Sequence, residues 1–189
     1  MTDLLLWQQL KSGNKNALAA IYDAHAPYLL RYGYKITQQE IIIEDAIHDL
    51  FVELWKNREG AGNTDNIRAY LTVALRRKII KTLQKSQKTA VNITPDEYDF
   101  DVEVAVDEVI IRTEKNKEYA DRLNVALNKL GPRQKEALYL KYYSQMSNEE
   151  ISEAMGITNQ SVRNLIHRSL EQMKKIFMWL LIFFEIFTK

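Results

Sequence analysis

Seven apolar positions spaced three and four apart, Ile43, Ala46, Ile47, Leu50, Phe51, Leu54 and Trp55, constrain this chain more than any other feature. That spacing returns side chains to one side of an α-helix, so the segment is predicted to be a helix with a single buried stripe. Its other face carries Glu44, Asp45, His48, Asp49 and Glu53. Only six Gly and three Pro interrupt 189 residues, of which 46% are apolar. Long periodic stretches with enough apolar material for a core point to an all-α fold, in one ordinary domain or two small ones.

Leu6, Trp7 and Leu10 form a short apolar face that ends near Gly13. Asn16 is expected to cap a second helix bearing Leu18, Ile21, Tyr22 and Leu29, with a bend at Pro27. After a loop with Gly60, Gly62 and Asn63, Asp65 is the expected N-cap of a helix through Ile67, Leu71, Ala74, Leu75 and Leu83. Tyr119, Leu123, Ala126, Leu127 and Leu130 make a further stripe. Gly131-Pro132 ends that helix and starts one carrying Ala137, Leu138, Leu140 and Tyr142, since proline suits a first helical turn.

A net charge of +1 taken alone argues against a nucleic-acid partner. Its distribution argues otherwise. Residues 66–88 hold seven Lys or Arg and no acid, whereas residues 94–114 hold eight Asp or Glu and one base, Arg112. The two blocks cancel in the sum and leave a cationic helix beside an acidic stretch. With Pro95 and no helical stripe before Val109, residues 89–115 read as an acidic linker between two domains. Val102, Val104 and Val106 alternate like a strand, but a lone strand has nothing to pair with.

Residues 147–175, SNEEISEAMGITNQSVRNLIHRSLEQMKK, carry the most specific pattern. Ser147 and Glu150 form a capping box that opens a short helix. Ile151 and Met155 supply its buried face, Ser152 is small enough for a close helix crossing, and Gly156 suits a sharp turn. Ile157 packs under that turn, Thr158 caps the next helix, and Val162, Leu165, Ile166 and Met173 form its stripe. Gln160, Ser161, Arg163, Asn164, His167 and Arg168 are left outward, which is how a helix-turn-helix presents its second helix to the major groove. Arg reads guanine edges, and Asn and Gln read adenine. An ordinary helical hairpin with a solvated polar face is the alternative. On the cationic helix, Arg68, Arg76, Arg77, Lys78, Lys81, Lys85 and Lys88 suit phosphates, or form a solvated basic face.

These segments resemble, in order, those of sigma factors of the extracytoplasmic-function class, most of all the versions typical of Bacteroidetes. LWQQLKSGNKNALAAIYDAHAPYLLRYGYKI resembles the family's first helices, and IIIEDAIHDLFVELWKNRE the helix that docks on the polymerase clamp. NIRAYLTVALRRKIIKTLQK resembles the segment that melts and reads the minus-ten element. LNKLGPRQKEALYLKYYSQMSNEEISEAMGITNQSVRNLIHRSLEQMKK resembles the module that reads the minus-thirty-five element. The resemblance implies a region 2-like domain at 1–88, a linker at 89–115 and a region 4-like domain at 116–177. It assigns Asp45, His48, Asp49 and Glu53 to core RNA polymerase. To the opened minus-ten strand it assigns the 57–66 loop, with Asn63 and Asn66, and Arg68, Arg76, Arg77, Lys78 and Lys81. Gln160, Ser161, Arg163, Asn164, His167 and Arg168 fall to the upstream duplex. In this class the linker threads the polymerase along the path of nascent RNA, where its carboxylates mimic a nucleic-acid backbone or simply form a solvated tether. The chain departs from the family at His48, where Gln is usual, at Arg77, where Asn is common, and at Lys81, where Asn or Asp is usual.

The implied partners are core RNA polymerase, promoter DNA and an anti-sigma factor, with no small-molecule substrate. No Cys is present, so disulfides and thiolate chemistry are excluded. His25, His48 and His167 are scattered without ligand spacing and no phosphate loop occurs, so no metal, cofactor or catalytic residue is expected. The first residues lack a signal-peptide order, which places the protein in the cytoplasm, or at the inner membrane through an anti-sigma factor. Ile176 to Phe184 is an apolar run too short to cross a bilayer. With residues 178–189 as an apolar tail, it is expected to pack on its own domain, meet a partner or touch a membrane. The competing function is a helix-turn-helix regulator with an amino-terminal partner-binding domain, against which a second cationic helix argues.

Overall fold

The computed structural model describes residues 2–87, 100–101 and 114–187, with side chains excepted at 86–87, 114–120 and 177–187. Among the described residues all regular structure is helical. The chain divides into two compact units, Met1–Asp99 with Ser152–Gly156, and Phe100–Ile151 with Ile157–Lys189.

The first unit is built from α1 (Asp3–Lys11), α2 (Lys15–Ile36), α3 (Glu40–Lys56) and α4 (Ile67–Gln87), with a 3-10 turn at Arg58–Gly60. Helices α2, α3 and α4 pack on one another, and α1 lies on α2 and the 3-10 turn. The stripe read from the sequence of α3 is the buried one: Ile43, Ala46, Ile47, Leu50, Phe51 and Leu54 are all buried. Trp55 is only half-buried. Tyr32, Leu29 and Ile21 from α2 and Leu71, Leu75 and Ile79 from α4 complete the core. Gly33 lets α2 and α3 approach closely, because a Cβ there would run into Ile43 Cγ2.

Two expected helix caps are corrected. The cap of α2 is Asn14, whose Oδ1 accepts from the backbone of Asn16 and Ala17; Asn16 already lies inside the helix. The bend expected at Pro27 falls inside α2, which stays helical for 22 residues. Packing on three neighbours outweighs the one backbone hydrogen bond that proline cannot make. The cap of α4 is Asn66, whose Oδ1 accepts from Ala69 N at 3.1 Å, rather than Asp65.

The second unit contains α5 (Glu114–Asn128), α6 (Pro132–Leu138), a π turn (Tyr139–Tyr143) and α8 (Asn159–Phe187). Between the π turn and α8 the chain forms α7 (Asn148–Met155). Gly131-Pro132 starts α6 as expected, and Gln134 Oε1 accepts from Gly131 N at 3.0 Å. Helix α8 packs on α5 and α6 and is pinned by Gln172, which donates to Lys129 O at 2.9 Å. The sequence did not reveal the π turn, where Ser144 N reaches Tyr139 O, or the burial of Phe100. Phe100 lies edge-on to Tyr139, with ring centroids 5.8 Å apart, and so seats one residue of the acidic stretch in this unit. Val102, Val104 and Val106 lie outside the described residues. Helix α8 is continuous across the boundary expected at 177–178, and the side chains of the apolar tail lie outside the described ones.

Candidate nucleic-acid interface

The turn between α7 and α8 is assembled as its sequence requires. Ser147 Oγ accepts from Glu150 N at 3.1 Å while Glu150 Oε2 accepts from Ser147 N at 2.7 Å, a complete capping box. Gly156 has φ +64°, a left-handed conformation that glycine adopts without steric cost. Thr158 Oγ1 accepts from Ser161 N at 3.1 Å and caps α8. Val162 and Ile166 are buried, together with Ser169, whose hydroxyl donates to Leu165 O at 2.7 Å. Ser169 was missed as a buried position because a serine reads as polar; its helical register with Val162 and Ile166 is the signal that finds it.

With that stripe inward, Gln160, Ser161, Arg163, Asn164, His167 and Arg168 are all exposed. Ser161 is partly committed to the cap, with its hydroxyl 2.9 Å from Thr158 Oγ1. Gln160 and Arg163 are hydrogen-bonded to each other, with Arg163 Nη2 donating to Gln160 Oε1 at 2.9 Å.

The residues assigned to the opened strand divide by environment. Arg68, Arg77 and Lys81 are exposed, and Arg68 lies over the Tyr28 ring at 5.0 Å. Lys78 is half-buried and paired to Glu53 Oε1 at 2.6 Å. This pair joins a residue assigned to nucleic acid with one assigned to polymerase. Arg76 differs from its neighbours, since only 7% of it is exposed, which withdraws it from the solvent face of α4. Asn66 spends its side-chain oxygen on the helix cap.

Helix α1 braces the loop before α4, a role the sequence did not suggest. Trp7 Nε1 donates to Gly62 O at 2.8 Å, Lys11 Nζ donates to Asn63 Oδ1 at 3.0 Å, and Asp3 Oδ2 accepts from Ile67 N at 2.9 Å. The Asp3 contact spans 64 positions, so no local pattern announces it.

On α3, Asp45, His48, Asp49 and Glu53 are all exposed along one strip, with His48 Nδ1 3.7 Å from Asp49 Oδ1. Beside that strip an open apolar groove of about 840 Å³ runs between α2 and α3, lined by Tyr22, Pro27, Phe51, Val52 and Trp55 among others. Tyr22 and Trp55 read as core from their periodicity; the structure leaves Tyr22 46% exposed and Trp55 half-buried, both at the groove. Among the described residues no cluster of potential metal ligands occurs, and no helix is long and apolar enough to cross a membrane.

Comparison with known proteins fits this layout. Residues 21–89 match the model of Sigma-70 region 2, and residues 120–173 match that of Sigma-70, region 4. The chain is similar to the ECF RNA polymerase sigma factor SigL of Mycobacterium tuberculosis, 25% identical over 160 residues, or 83% of this chain and 86% of that protein. It is also similar to the RNA polymerase sigma-E factor of Streptomyces avermitilis, 24% identical over 155 residues, 78% of this chain and 77% of the other. Two solved structures share the fold at 18% identity. CnrH, in complex with the cytosolic domain of CnrY, has a TM-score of 0.56 and covers 93% of this chain and 96% of its own. The sigma factor RpoE of Bartonella quintana, with the anti-sigma factor NepR, has a TM-score of 0.54 and covers 87% and 96%. With region 2 and region 4 present in this order and SigL matched over most of its length, the chain belongs to the sigma-70 family, in the ECF class.

Proposed function

We propose that the protein binds core RNA polymerase, directs it to promoters with two separated elements, and promotes melting at the downstream one. The observation that carries this reading is the presence of both sigma regions on one chain, with an exposed polar and cationic face on the helix after the turn. The upstream duplex is read by Gln160, Arg163, Asn164, His167 and Arg168, with Ser161 supporting the helix start. The opened strand is held by Asn63, Arg68, Arg77, Lys78 and Lys81. Arg76 and Asn66 act from within, Arg76 through packing and Asn66 through the cap. Asp45, His48, Asp49 and Glu53 meet the polymerase, with the adjoining groove of α2 and α3 in reach of the same partner.

The acidic stretch at 89–115 joins the two modules. The protein performs no catalysis itself, since the polymerase forms the phosphodiester bonds, and it works in the cytoplasm where that enzyme and its template are. An anti-sigma factor is its inhibitory partner, a reading supported by the likeness to RpoE of Bartonella quintana, which is in complex with the anti-sigma factor NepR.

In vitro transcription with purified core polymerase tests the reading, with start sites mapped across genomic DNA. Addition of the protein is expected to produce RNA from a small set of shared promoters. Transcription that stays as unspecific as that of the core enzyme alone would overturn it.

A further inference from the structure

Glu149 lies in the first turn of α7, and its carboxylate reaches past the Gly156 turn to the start of α8, where Asn159 Nδ2 donates to it at 2.5 Å. The other end of that amide, Asn159 Oδ1, accepts from Arg163 Nη1 at 3.2 Å. Gln160 Oε1 accepts from Arg163 Nε at 3.3 Å and Nη2 at 2.9 Å, and Gln160 Nε2 donates to Asn164 Oδ1 at 3.0 Å. Asn159 is half-buried, while Glu149, Gln160, Arg163 and Asn164 are exposed, so the network lies where a ligand can reach it.

Its polarity is set at both ends, by an acceptor-only carboxylate and a donor-only guanidinium. An ionised carboxylate only accepts hydrogen bonds, so the end of the Asn159 amide that faces Glu149 must be the NH2 group. That choice turns the amide oxygen towards the guanidinium. Without Glu149 the amide keeps only its contact with the guanidinium, which favours the same orientation but leaves the NH2 end unanchored. The Glu149 carboxyl is kept below its usual range first by its own backbone N–H and then by the Asn159 amide, with Ser147 and Arg163 adding to the effect and burial opposing it. Arginine has five N–H groups, and these contacts engage three, one each on Nε, Nη1 and Nη2. One N–H remains on each terminal nitrogen, the pair that the O6 and N7 acceptors of guanine require.

We infer that Glu149 is a positioning residue for promoter recognition: through Asn159 it holds the Arg163 guanidinium with its two remaining N–H groups ready for a guanine edge. The inference rests on the proposed role of α8 and extends it to a residue on the preceding helix.

The test uses the full chain with core RNA polymerase and a promoter library randomised over the upstream element, scored by sequencing the transcripts. Arg163→Ala identifies the base position that Arg163 reads. Glu149→Ala is expected to reduce discrimination at that same position by about five-fold, the lower end for loss of a bidentate contact, and to spare the others. Glu149→Gln, whose carbonyl still accepts from Asn159, is expected to retain it, and Glu149→Ala with Arg163→Ala to match Arg163→Ala alone. Unchanged selectivity in Glu149→Ala would overturn the inference, as would an equal loss at all positions together with a lowered melting temperature. If Arg163→Ala relaxes no position while transcription still starts at defined promoters, the inference falls and the proposed function stands. If the unmodified protein supports no defined starts, both fall.

Discussion

Arg168 lies five residues beyond Arg163 on α8, exposed on the same polar face. Arg168→Ala is expected to weaken binding to the upstream element by about 1–3 kcal/mol with relaxed preference at one base pair, as loss of a base contact does. Titration against single-base variants of the element checks this, and an equal loss on every sequence would assign the side chain to phosphate. His25 poses a different question, since it is buried in the first unit with no hydrogen-bond partner at Nδ1. Burial lowers its pKa from the ordinary 6.5, with Asp3 opposing the shift and Arg68 reinforcing it. The folded chain therefore holds fewer protons at this site than the unfolded chain does below 6.5. The stability it contributes is intact above that value and is lost as pH falls from 6.5 towards the lowered folded pKa. Urea unfolding across this range is expected to show stability falling with acid, and His25→Phe to flatten the slope. The same slope in both proteins would assign it to other groups.

At the scale of elements, the contact between Gly33 and Ile43 sets how closely α2 and α3 approach. A Cβ at Gly33 meets Ile43 Cγ1 at 3.3 Å as well as Cγ2, and both partners lie in a packed core. Gly33→Ala is expected to destabilise the protein by about 1–3 kcal/mol through overpacking, and Ile43→Val to recover part of that in the double variant. Additive losses in thermal unfolding would show that the clash is relieved some other way. This contact also marks what the sequence could express. The stripe of α3, the capping box at Ser147 and the turn at Gly156 are local patterns, and each was legible. Asn14 against Asn16, and Asn66 against Asp65, were not, because neighbouring polar residues cap equally well until tertiary packing fixes where the helix begins. Arg76 was assigned to a solvent face by its charge, although its register with Val73 and Ile79, both buried, points inward. Phe100 and the π turn depend on a contact between distant segments, and periodicity holds no record of that.

At the scale of the molecule, each compact unit offers its own surface. In the first, α3 carries the exposed acids Asp45, Asp49 and Glu53 and α4 the exposed cations Arg68, Arg77 and Lys81, and the Lys78–Glu53 pair links the two helices. Asp49→Lys is expected to abolish co-purification with core polymerase while leaving the helical circular dichroism unchanged; normal co-purification would remove α3 from the docking site. In the second, α8 continues as a helix to Phe187, well past its anchor at Gln172. Deleting residues 178–189 is expected to change inhibition or polymerase binding, and unchanged solubility, inhibition and transcription would leave that segment without a partner.

The amino-terminal helix has a practical consequence for anyone handling the protein. Asp3, Trp7 and Lys11 together splint the loop and the first turn of α4. Clipping even the first three residues, by a contaminating protease or a shortened clone, removes the carboxylate that closes the Ile67 amide. Damage at Asp3 would then surface 64 positions away, beside the loop proposed to hold the opened strand.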